Sequence, residues 1–466
     1  MSALWPWPWS LSALEHSAFV AAGLLTYVLA TRIGHQRRHP SAAIAWVIGI
    51  VAFPYIAIPL FLVFGSRKFV RPSRPDRAEL RKFSDEDAAQ WATTLLAGLG
   101  IEAAQRNASV TFHADGEQSY RELLALINGA NHEVEICTFI LRHDKVGIGV
   151  AEALVRASKR GVKTRILVDS IGSLRTPSTL WKQLRGGGVE VRSFMPLLHN
   201  PMKGRTNLRN HRKIAVADGR LLWSGGRNLA AEYFIEHEGH PPWVDLSFTV
   251  CGPVARQAQM QFERDWCVAP GEPPGGAILS ISAKHLEKGP IAQWVPSGPD
   301  QSDDTIHALL MTGAYHARER ILAVTPYFVP DEALIEAWCT ACRRGVQVTL
   351  VLPARSNHRL ADLARTRSLR QLADAGAEVW MMPSMIHAKA IVIDARLALC
   401  GSANLDRRSL FLNYEAMTAF YGADEICWLE TWIESQRQLG VVYHPKRPTW
   451  WQDLAQGLVR VLGFQL

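Results

Sequence analysis

The chain contains two copies of one motif whose residue types could carry out phosphoryl chemistry. Motif 1 is HRKIAVADGRLLWSGGRN at residues 211–228, and motif 2 is HAKAIVIDARLALCGSAN at residues 387–404. Each has the form H-x-K-x4-D followed by a glycine-containing step and an asparagine. The shared residues are His211, Lys213, Asp218 and Asn228 in motif 1, and His387, Lys389, Asp394 and Asn404 in motif 2. Two copies in register predict a duplicated fold whose halves supply one shared site.

Two histidines and two lysines meet the needs of phosphodiester exchange without a metal. One imidazole would attack phosphorus to form a covalent phospho-histidine, and the other would protonate the leaving alkoxide and deprotonate the incoming alcohol. Lysine and asparagine side chains would stabilise charge on the pentavalent transition state. The predicted phosphate-binding residues are Lys213, Asn228, Lys389, Ser402 and Asn404. We expect no cofactor and no metal, because no carboxylate–histidine cluster with metal-ligand spacing accompanies the motifs.

The segments around the motifs predict an α/β fold. A histidine and a lysine two apart on a β-strand point to the same face, and the apolar runs IAVA and AIVI that follow suit buried strands. Beyond residue 105 apolar strand-like runs alternate with helical stretches. The two halves also match, since GVAEALVRASKRGVKTRILVD and DEALIEAWCTACRRGVQVTLVLP each predict a helix, a glycine stop and a strand.

The predicted organisation has six parts. They are two transmembrane helices (1–66), a basic juxtamembrane linker (67–105), a first domain with motif 1 (106–268), a linker (269–290), a second domain with motif 2 (291–440) and a C-terminal amphipathic helix (441–466).

The N-terminus predicts attachment to a membrane. Residues 43–65 contain no charged side chain, and a helix of this length, kinked at Pro54 and Pro59, would span roughly 34 Å. A signal peptide is the alternative, but no lysine or arginine precedes the first apolar run. The basic residues after the second apolar segment favour a cytoplasmic catalytic part, whereas the arginines between the two segments favour the opposite orientation. The net charge of +8 also favours anionic partners.

The paired motifs resemble the HKD motifs of the phospholipase D superfamily. The two N-terminal apolar segments and the stretches NLRNHRK, GGRNLAAEYF and GSANLDRRSLFLNYE extend the resemblance to bacterial cardiolipin synthases over nearly the whole chain. The resemblance implies two phospholipase D-like α/β sandwich domains in a pseudo-two-fold arrangement with the active site between them. It also implies transfer of a phosphatidyl group from one phosphatidylglycerol to another, giving cardiolipin and glycerol. The expected partners are phosphatidylglycerol, anionic lipids and the bacterial inner membrane, not nucleic acid.

The resemblance also implies roles for individual residues. His211 is expected to be the nucleophile and His387 the general acid and base. Asp245 follows His211, and Glu415 follows His387, at the separation where relatives carry an acidic residue, and each is expected to orient the imidazole of its own half. Asp218 and Asp394 are counted with the catalytic motif but are expected to brace the strand and turn.

Two differences from the family pattern leave the substrates open. Ser402 has no hydroxyl counterpart in motif 1, and Val244 stands where many relatives have arginine. The loop before His211, with Lys203, Arg205 and Arg209, could be an anion-binding rim or a solvated surface loop. A glycerol-bearing lipid, an ethanolamine lipid and water remain possible acceptors. The alternative functions are a phospholipase D-type lipid hydrolase, a membrane-tethered HKD nuclease and a scaffold with a degenerate site.

Overall fold

The structure, a computed structural model, describes residues 13–33, 40–65, 89–195, 207–269 and 288–445. Several predicted features lie outside these residues. They are most of the two linkers, the loop residues Lys203 and Arg205, and residues 446–466 of the C-terminal helix.

The described helices are α1 (Ala13–Ile33), α2 (Pro40–Ala52), α3 (Pro54–Phe64), α4 (Gln90–Gly98), α5 (Gly116–Gly129), α6 (Lys145–Lys159), α7 (Ser178–Gly186), α8 (Pro253–Val268), α9 (Thr305–His316), α10 (Glu332–Arg343), α11 (Arg359–Asp374), α12 (Arg407–Phe411) and α13 (Ala423–Gln438). Helix α6 illustrates how the sequence sets their bounds. Asp144 accepts hydrogen bonds from the backbone N–H groups of Val146 and Gly147, which caps the first turn. The helix ends before Gly161, whose φ of 88° suits glycine.

The first half is built on a seven-stranded sheet in the order β2-β8-β7-β6-β3-β4-β5. Its strands are β2 (Ser109–His113), β3 (Glu133–Thr138), β4 (Lys163–Asp169), β5 (Glu190–Phe194), β6 (Ile214–Ala217), β7 (Leu221–Gly225) and β8 (Ser247–Cys251). Strands β3, β4 and β5 are parallel, and β6 joins β3 antiparallel. The predicted strand IAVA is therefore a central, fully buried strand.

The second half repeats this order within a nine-stranded sheet, β1-β9-β17-β15-β14-β10-β12-β13-β18. Its strands are β1 (Gln105–Arg106), β9 (Ile291–Ser297), β10 (Arg320–Val324), β12 (Gln347–Pro353), β13 (Glu378–Met382), β14 (Ala390–Ile393), β15 (Leu397–Gly401), β17 (Glu415–Phe420) and β18 (Val441–Val442). A separate parallel pair is formed by β11 (Phe328–Val329) and β16 (Leu405–Asp406). The seven central strands match the first sheet one for one, so the sequence duplication corresponds to a structural one.

The two halves share a hydrophobic core. One buried cluster joins Phe248 and Phe262 of the first half to Val351 and Phe420 of the second. The Phe248 and Phe420 rings meet edge to face with centroids 5.3 Å apart. Each half also has its own core on the other side of its sheet. The mixed α/β architecture expected from the sequence is thus confirmed, and the halves form one packed body.

Two boundaries of the sequence prediction need correction. Helix α4 and strand β1 fall in the predicted linker 67–105, yet Ala92 and Leu96 of α4 are buried in the core of the second half, and β1 pairs with β9. At the other end, Val441 and Val442 fall in the predicted C-terminal helix but pair with β13 as a strand. Helix α4 precedes the first half along the chain but packs in the second, and β18 pairs with a strand 60 residues earlier (Met381 with Val441), so local patterns did not reveal these contacts.

The second predicted transmembrane helix is two helices. Phe53, between α2 and α3, has φ −138° and ψ 57°, and Pro54 begins α3. Proline has no N–H to donate and its ring obstructs the preceding turn, so the helix breaks there. Tyr27 of α1 packs with Ile50 and Phe61, which brings the three helices together. Within residues 13–65 and the rest of the described chain, no helix combines the length and the apolar character needed to cross a bilayer.

Candidate active site

The His-x-Lys pairs lie in extended segments immediately before β6 and β14, not within the strands as the alternation argument predicted. The lysines nevertheless lie beside their histidines. Lys213 Nζ donates to the His211 carbonyl at 2.7 Å. Lys389 Nζ lies 2.8 Å from Nδ1 and 3.0 Å from Nε2 of His387, which places the amine against the imidazole ring.

The carboxylates reach the histidines across the boundary between the halves. His211 N donates to the carbonyl of Tyr414 at 2.8 Å, and His387 N donates to the carbonyl of Val244 at 2.7 Å. Each histidine segment therefore pairs, as a short parallel bridge, with the segment of the other half that precedes a carboxylate. Glu415 and Asp245 are the next residues along those segments.

The side chains also pair across the boundary between the halves. His211 Nδ1 lies 3.1 Å from the carboxylate of Glu415, and His387 Nδ1 lies 2.7 Å from that of Asp245. The expectation that each carboxylate orients the imidazole of its own half is therefore wrong, because the pairs are exchanged between halves. Both carboxylates are fully buried. A buried carboxylate on Nδ1 holds the neutral imidazole with its proton on that nitrogen and leaves Nε2 as the basic atom.

Burial and the neighbouring charges shift the pKa values of the histidines and carboxyl groups. Burial lowers the pKa of His387 to about 3, and the neighbouring Lys389 contributes to this shift against the opposing effect of Asp245. Burial likewise lowers the pKa of His211, although Glu415 opposes the shift. Burial alone would raise the pKa of both carboxyl groups, but the histidines and lysines facing them hold both pKa values below normal. At neutral pH the site thus has neutral imidazoles and ionised carboxylates.

Both lysines have depressed pKa values. Burial lowers the pKa of Lys213 to about 7 and that of Lys389 to about 8. The repulsion between the two amines contributes to the shift at Lys213, while Glu415 and Asp245 oppose it. Since residues of both halves affect one amine, the two motifs form one electrostatic site. A bound phosphodiester would add negative charge and favour protonation of these groups.

The predicted phosphate-binding polar residues have different surroundings. Asn228 Nδ2 donates to the Tyr233 hydroxyl at 2.9 Å, and its Oδ1 accepts from Ile140 N at 3.3 Å. Asn404 Oδ1 has no hydrogen-bond partner among the described residues. Ser402 Oγ donates to Glu415 at 2.5 Å, so its contact in this structure is with a carboxylate rather than with the phosphate position.

The motif aspartates brace the fold. Asp218 accepts hydrogen bonds from the backbone N–H groups of residues 131–133 at 2.8–2.9 Å, and Asp394 accepts from those of residues 318–320 at 2.9–3.0 Å. Both lie at the end of the strand opposite the His-x-Lys pair and have φ values of 53° and 51°. These contacts agree with the expected bracing role. They also place both carboxylates away from the imidazoles of His211 and His387, so neither aspartate contacts a catalytic histidine.

An open cavity of about 250 Å³ adjoins the motifs. Its first-half lining is Phe139, Arg209 and His211, and its second-half lining is Tyr327, Val329, His358, Ala361, Asn404, Asp406, Arg408, Ser409 and Asn413. The His211 side chain is 12% exposed, whereas that of His387 is 5% exposed and packs against Tyr233 and Trp243. Access to the imidazoles is therefore unequal.

Two buried arginines were missed by the sequence reasoning. Arg212 Nε donates to the carbonyl of Glu415 at 3.0 Å, and Arg227 donates to the carbonyl of Asp245 at 2.6 Å. Both residues are at most 1% exposed. They hold the backbone of the two residues that face the histidines. The sequence did offer a signal for them: both arginines lie inside motif 1, and motif 2 has alanine, Ala388 and Ala403, at the matching positions.

Among the described residues, no group of three or more His, Cys, Asp and Glu side chains has the geometry to hold a metal ion. The polar groups of the site are instead paired imidazoles, amines and carboxylates. This arrangement can provide a nitrogen nucleophile, a proton donor and acceptor, and cationic stabilisation of phosphoryl oxygens.

Comparison with known proteins places this site in a family. The family described as "Cardiolipin synthase, PLD-like domain" matches residues 123–266 and 312–437. Cardiolipin synthase A of Shigella boydii serotype 4 and that of Escherichia coli (strain K12 / DH10B) are each 30% identical over 473 residues, covering 95% of this chain and 96% of the relative. The crystal structure of phosphatidylserine synthase from Haemophilus influenzae Rd KW20 shares the fold, with a TM-score of 0.61 and 14% identity over 78% of this chain and 97% of that one. The chain belongs to the cardiolipin synthase family of phospholipase D-like enzymes.

Proposed function

We propose that this enzyme is a membrane-bound phosphatidyltransferase that makes cardiolipin and glycerol from two molecules of phosphatidylglycerol. The observation that carries the proposal is the exchanged pairing, in which each imidazole has a buried carboxylate of the other half on Nδ1 and a buried lysine beside it. Such a pair of imidazoles suits a reaction in two displacements, one forming and one consuming a covalent intermediate. The cardiolipin synthase relatives support the choice of lipid substrates.

In the first displacement, His211 Nε2 attacks the phosphorus of phosphatidylglycerol. The P–N bond forms as the P–O bond to the headgroup glycerol breaks, and His387 gives its proton to the departing oxygen. The phosphorylated His211 is cationic, and the Glu415 carboxylate 3.1 Å from its Nδ1 would stabilise that charge. The greater exposure of His211, which lines the cavity, supports its role as the nucleophile.

In the second displacement, the terminal hydroxyl of another phosphatidylglycerol attacks the phosphatidyl-histidine. Its proton passes to His387 as the P–N bond breaks, which restores both imidazoles. His387 must gain a proton before the first step, because burial and Lys389 hold its pKa at about 3 before lipid binds. The negative charge of the bound phosphodiester favours that proton uptake. Lys213, Lys389 and the motif asparagines would bind the non-bridging oxygens.

The N-terminal helices support attachment to a membrane. Large apolar side chains on α1–α3 face outward, including Leu25, Ile48 and Ile56 at 59%, 61% and 63% exposure. Exposed apolar surface of this kind favours lipid over water. We therefore place the enzyme at the bacterial inner membrane with its catalytic halves in the cytoplasm, as the basic residues after the second apolar segment favour. Retention in the membrane fraction after an alkaline carbonate wash is the expected result, and release of the intact chain would contradict it.

The central test incubates the purified enzyme with phosphatidylglycerol vesicles and EDTA and measures cardiolipin and glycerol together. Equal amounts of the two products are expected. Phosphatidic acid in place of cardiolipin would indicate a lipid hydrolase, and a strict requirement for added metal would contradict the phospho-histidine mechanism.

The roles of the histidines are tested separately. His211→Ala and His387→Ala should each abolish turnover, and normal activity of either variant would contradict a shared site. With labelled donor lipid, an acid-labile adduct should map to His211. An adduct found on His387 would exchange the two roles while leaving the two-step reaction intact.

A further inference from the structure

One wall of the cavity beside His211 is built from buried oxygens of the second half. We call this the oxygen wall, and it consists of Asn404, Asp406, Ser409 and Asn413. These residues are 5%, 5%, 1% and 6% exposed, so each is more than nine-tenths buried. They come from β16, α12 and the segments on either side of them, which positions them on one side of the cavity.

Three atoms of the oxygen wall lack hydrogen-bond partners within the described part of the chain. They are Asn404 Oδ1, Ser409 Oγ and Asn413 Oδ1. A buried polar atom without a partner is costly, and a group of them lining one cavity indicates that a ligand completes their hydrogen bonds. Asp406 adds a carboxylate, of which Oδ1 accepts from Ser409 N at 2.7 Å and caps α12.

The first half offers no matching wall among its described residues. At the positions that correspond when the two motifs are aligned, Ala230 replaces Asp406 and Tyr233 replaces Ser409. The Tyr233 hydroxyl bonds Asn228, and its ring contacts His387 with centroids 5.0 Å apart. The Tyr233 side chain thus stands in the place of Ser409, and the neighbouring first-half cavity is lined by charged side chains such as Arg142, Asp144 and Glu232. The two sides of the site therefore differ in what they can bind, although the His-x-Lys pairs are alike.

The chemistry of the wall restricts its ligand. Amide oxygens, a carboxylate and a serine hydroxyl accept hydrogen bonds, so the ligand must donate several. A polyol and an ammonium group both donate, but the guanidinium of Arg408 lines the same cavity and its charge disfavours a cation. Uncharged hydroxyl groups on neighbouring carbons satisfy both conditions.

We propose that the oxygen wall binds the hydroxyl groups of a glycerol headgroup and thereby selects a polyol as the leaving group and acceptor of the transfer reaction. The proposal rests on the phosphatidyl transfer proposed above. His211 lies on the first-half wall and the oxygen wall on the second-half side, so a phosphorus between them has the attacking nitrogen on one side and the glycerol on the other. The same contacts would serve the departing glycerol and the terminal glycerol of the second lipid, whose hydroxyl proton passes to His387.

The test measures competition for one phosphatidyl-enzyme. The full-length enzyme with phosphatidylglycerol vesicles receives equal concentrations of labelled glycerol and labelled 1-propanol, which has the same carbon chain and a single hydroxyl. The ratio of phosphatidylglycerol to phosphatidylpropanol formed from label reports acceptor recognition alone. We expect the wild type to prefer glycerol and Asp406→Asn and Ser409→Ala each to lower the ratio about ten-fold.

The variants are chosen to fold. Asparagine is as good a helix N-cap as aspartate, and Ser409 Oγ makes no described hydrogen bond that alanine would remove. Asp115→Asn is the matched control, because Asp115 also caps a helix, α5, but is exposed and does not line the cavity. Its ratio should equal that of the wild type.

Three results would overturn the proposal in distinguishable ways. Equal use of the two alcohols by the wild type, or unchanged ratios in both variants, would refute polyol selection while phosphatidyl transfer stands. A preference for added ethanolamine over glycerol would assign the wall to an ammonium headgroup. Formation of neither cardiolipin nor any of the alcohol products would refute the proposed function itself, and the polyol site with it.

Discussion

Replacing Glu415 by glutamine tests the exchanged pairing most directly. In the wild type the Glu415 carboxylate lies 3.1 Å from His211 Nδ1, accepts from Ser402 Oγ at 2.5 Å and is fully buried. Glutamine keeps the shape and removes the charge. The matched variant, Asp245→Asn, makes the same change at the carboxylate 2.7 Å from His387 Nδ1.

The expected size of the effect follows from the kind of hydrogen bond. A hydrogen bond to a charged group contributes about 1.5–3 kcal/mol. One decade of rate corresponds to about 1.4 kcal/mol, so kcat should fall about 10-fold to 100-fold in either variant. The carboxylate in the wild type stabilises the protonated imidazole, so its removal should also lower the pKa of the histidine that faces it. In Glu415→Gln the affected residue should be His211, which lies in the other half of the molecule.

Nitrogen NMR of histidine-labelled enzyme in detergent separates the two imidazoles. His211→Gln and His387→Gln provide the assignments. Glu415→Gln should shift the ring nitrogens of His211 and leave those of His387 nearly unchanged, and Asp245→Asn should do the reverse. If Glu415→Gln instead perturbed His387, or perturbed both rings equally, the exchange between halves would be refuted even if activity fell as expected.

Three further outcomes follow from the contacts of the site. Below about pH 6.5 the unfolded chain binds a proton at His387, whereas the folded protein binds it only near pH 3. The free energy of unfolding should therefore fall by up to about 1.4 kcal/mol per pH unit as the pH drops through this window. In denaturant titrations, His387→Gln should reduce that slope. Asp218→Asn should lower stability by about 1–3 kcal/mol but leave kcat of the folded enzyme unchanged, since its three backbone partners lie away from the histidines; a large loss of kcat would instead indicate a catalytic role. Ser402→Ala removes a hydrogen bond to the ionised Glu415 carboxylate, worth about 1.5–3 kcal/mol, so kcat should fall about 10-fold to 100-fold at constant KM, whereas a raised KM alone would indicate that Ser402 binds the phosphate.

The sequence predicts the motif strands well because their signal is local. Uninterrupted apolar runs at 214–217 and 390–393 have little alternative to buried central strands, and both lie in the middle of their sheets. The bracing role of Asp218 and Asp394 was expected, but their backbone partners could not be predicted locally, because residues 131–133 and 318–320 lie 74–87 residues away along the chain. The break at Pro54 was predicted only as a kink, and Pro59, predicted to act in the same way, lies inside α3.

The partners of the histidines could not be predicted in the same way. A carboxylate that follows each histidine along the chain is compatible with pairing inside a half or across halves. The choice is made by two short parallel bridges, Asn210 with Tyr414 and Val244 with Ile386, which depend on how the two sheets meet. The membership of α4 in the second-half core has the same cause. Such contacts join segments that are remote in sequence, and no local pattern encodes them.

The exchange explains why the two motifs must act as one unit. A half on its own would contain an imidazole without the carboxylate that fixes its tautomer, and a buried carboxylate without the cation that compensates its charge. Arg212 and Arg227 add to this dependence, because both come from motif 1 yet hold the backbone of Glu415 and Asp245 in different halves. Because the histidines, lysines and carboxylates of both halves form one site, the differences between the halves lie in the residues that surround it. Tyr233 packs against His387, whereas Asp406 and Ser409 line the cavity beside His211. A nearly symmetric pair of motifs is therefore surrounded by an asymmetric binding surface. Directional chemistry, with one imidazole bonded to phosphorus and the other exchanging protons with an alcohol, requires that kind of asymmetry.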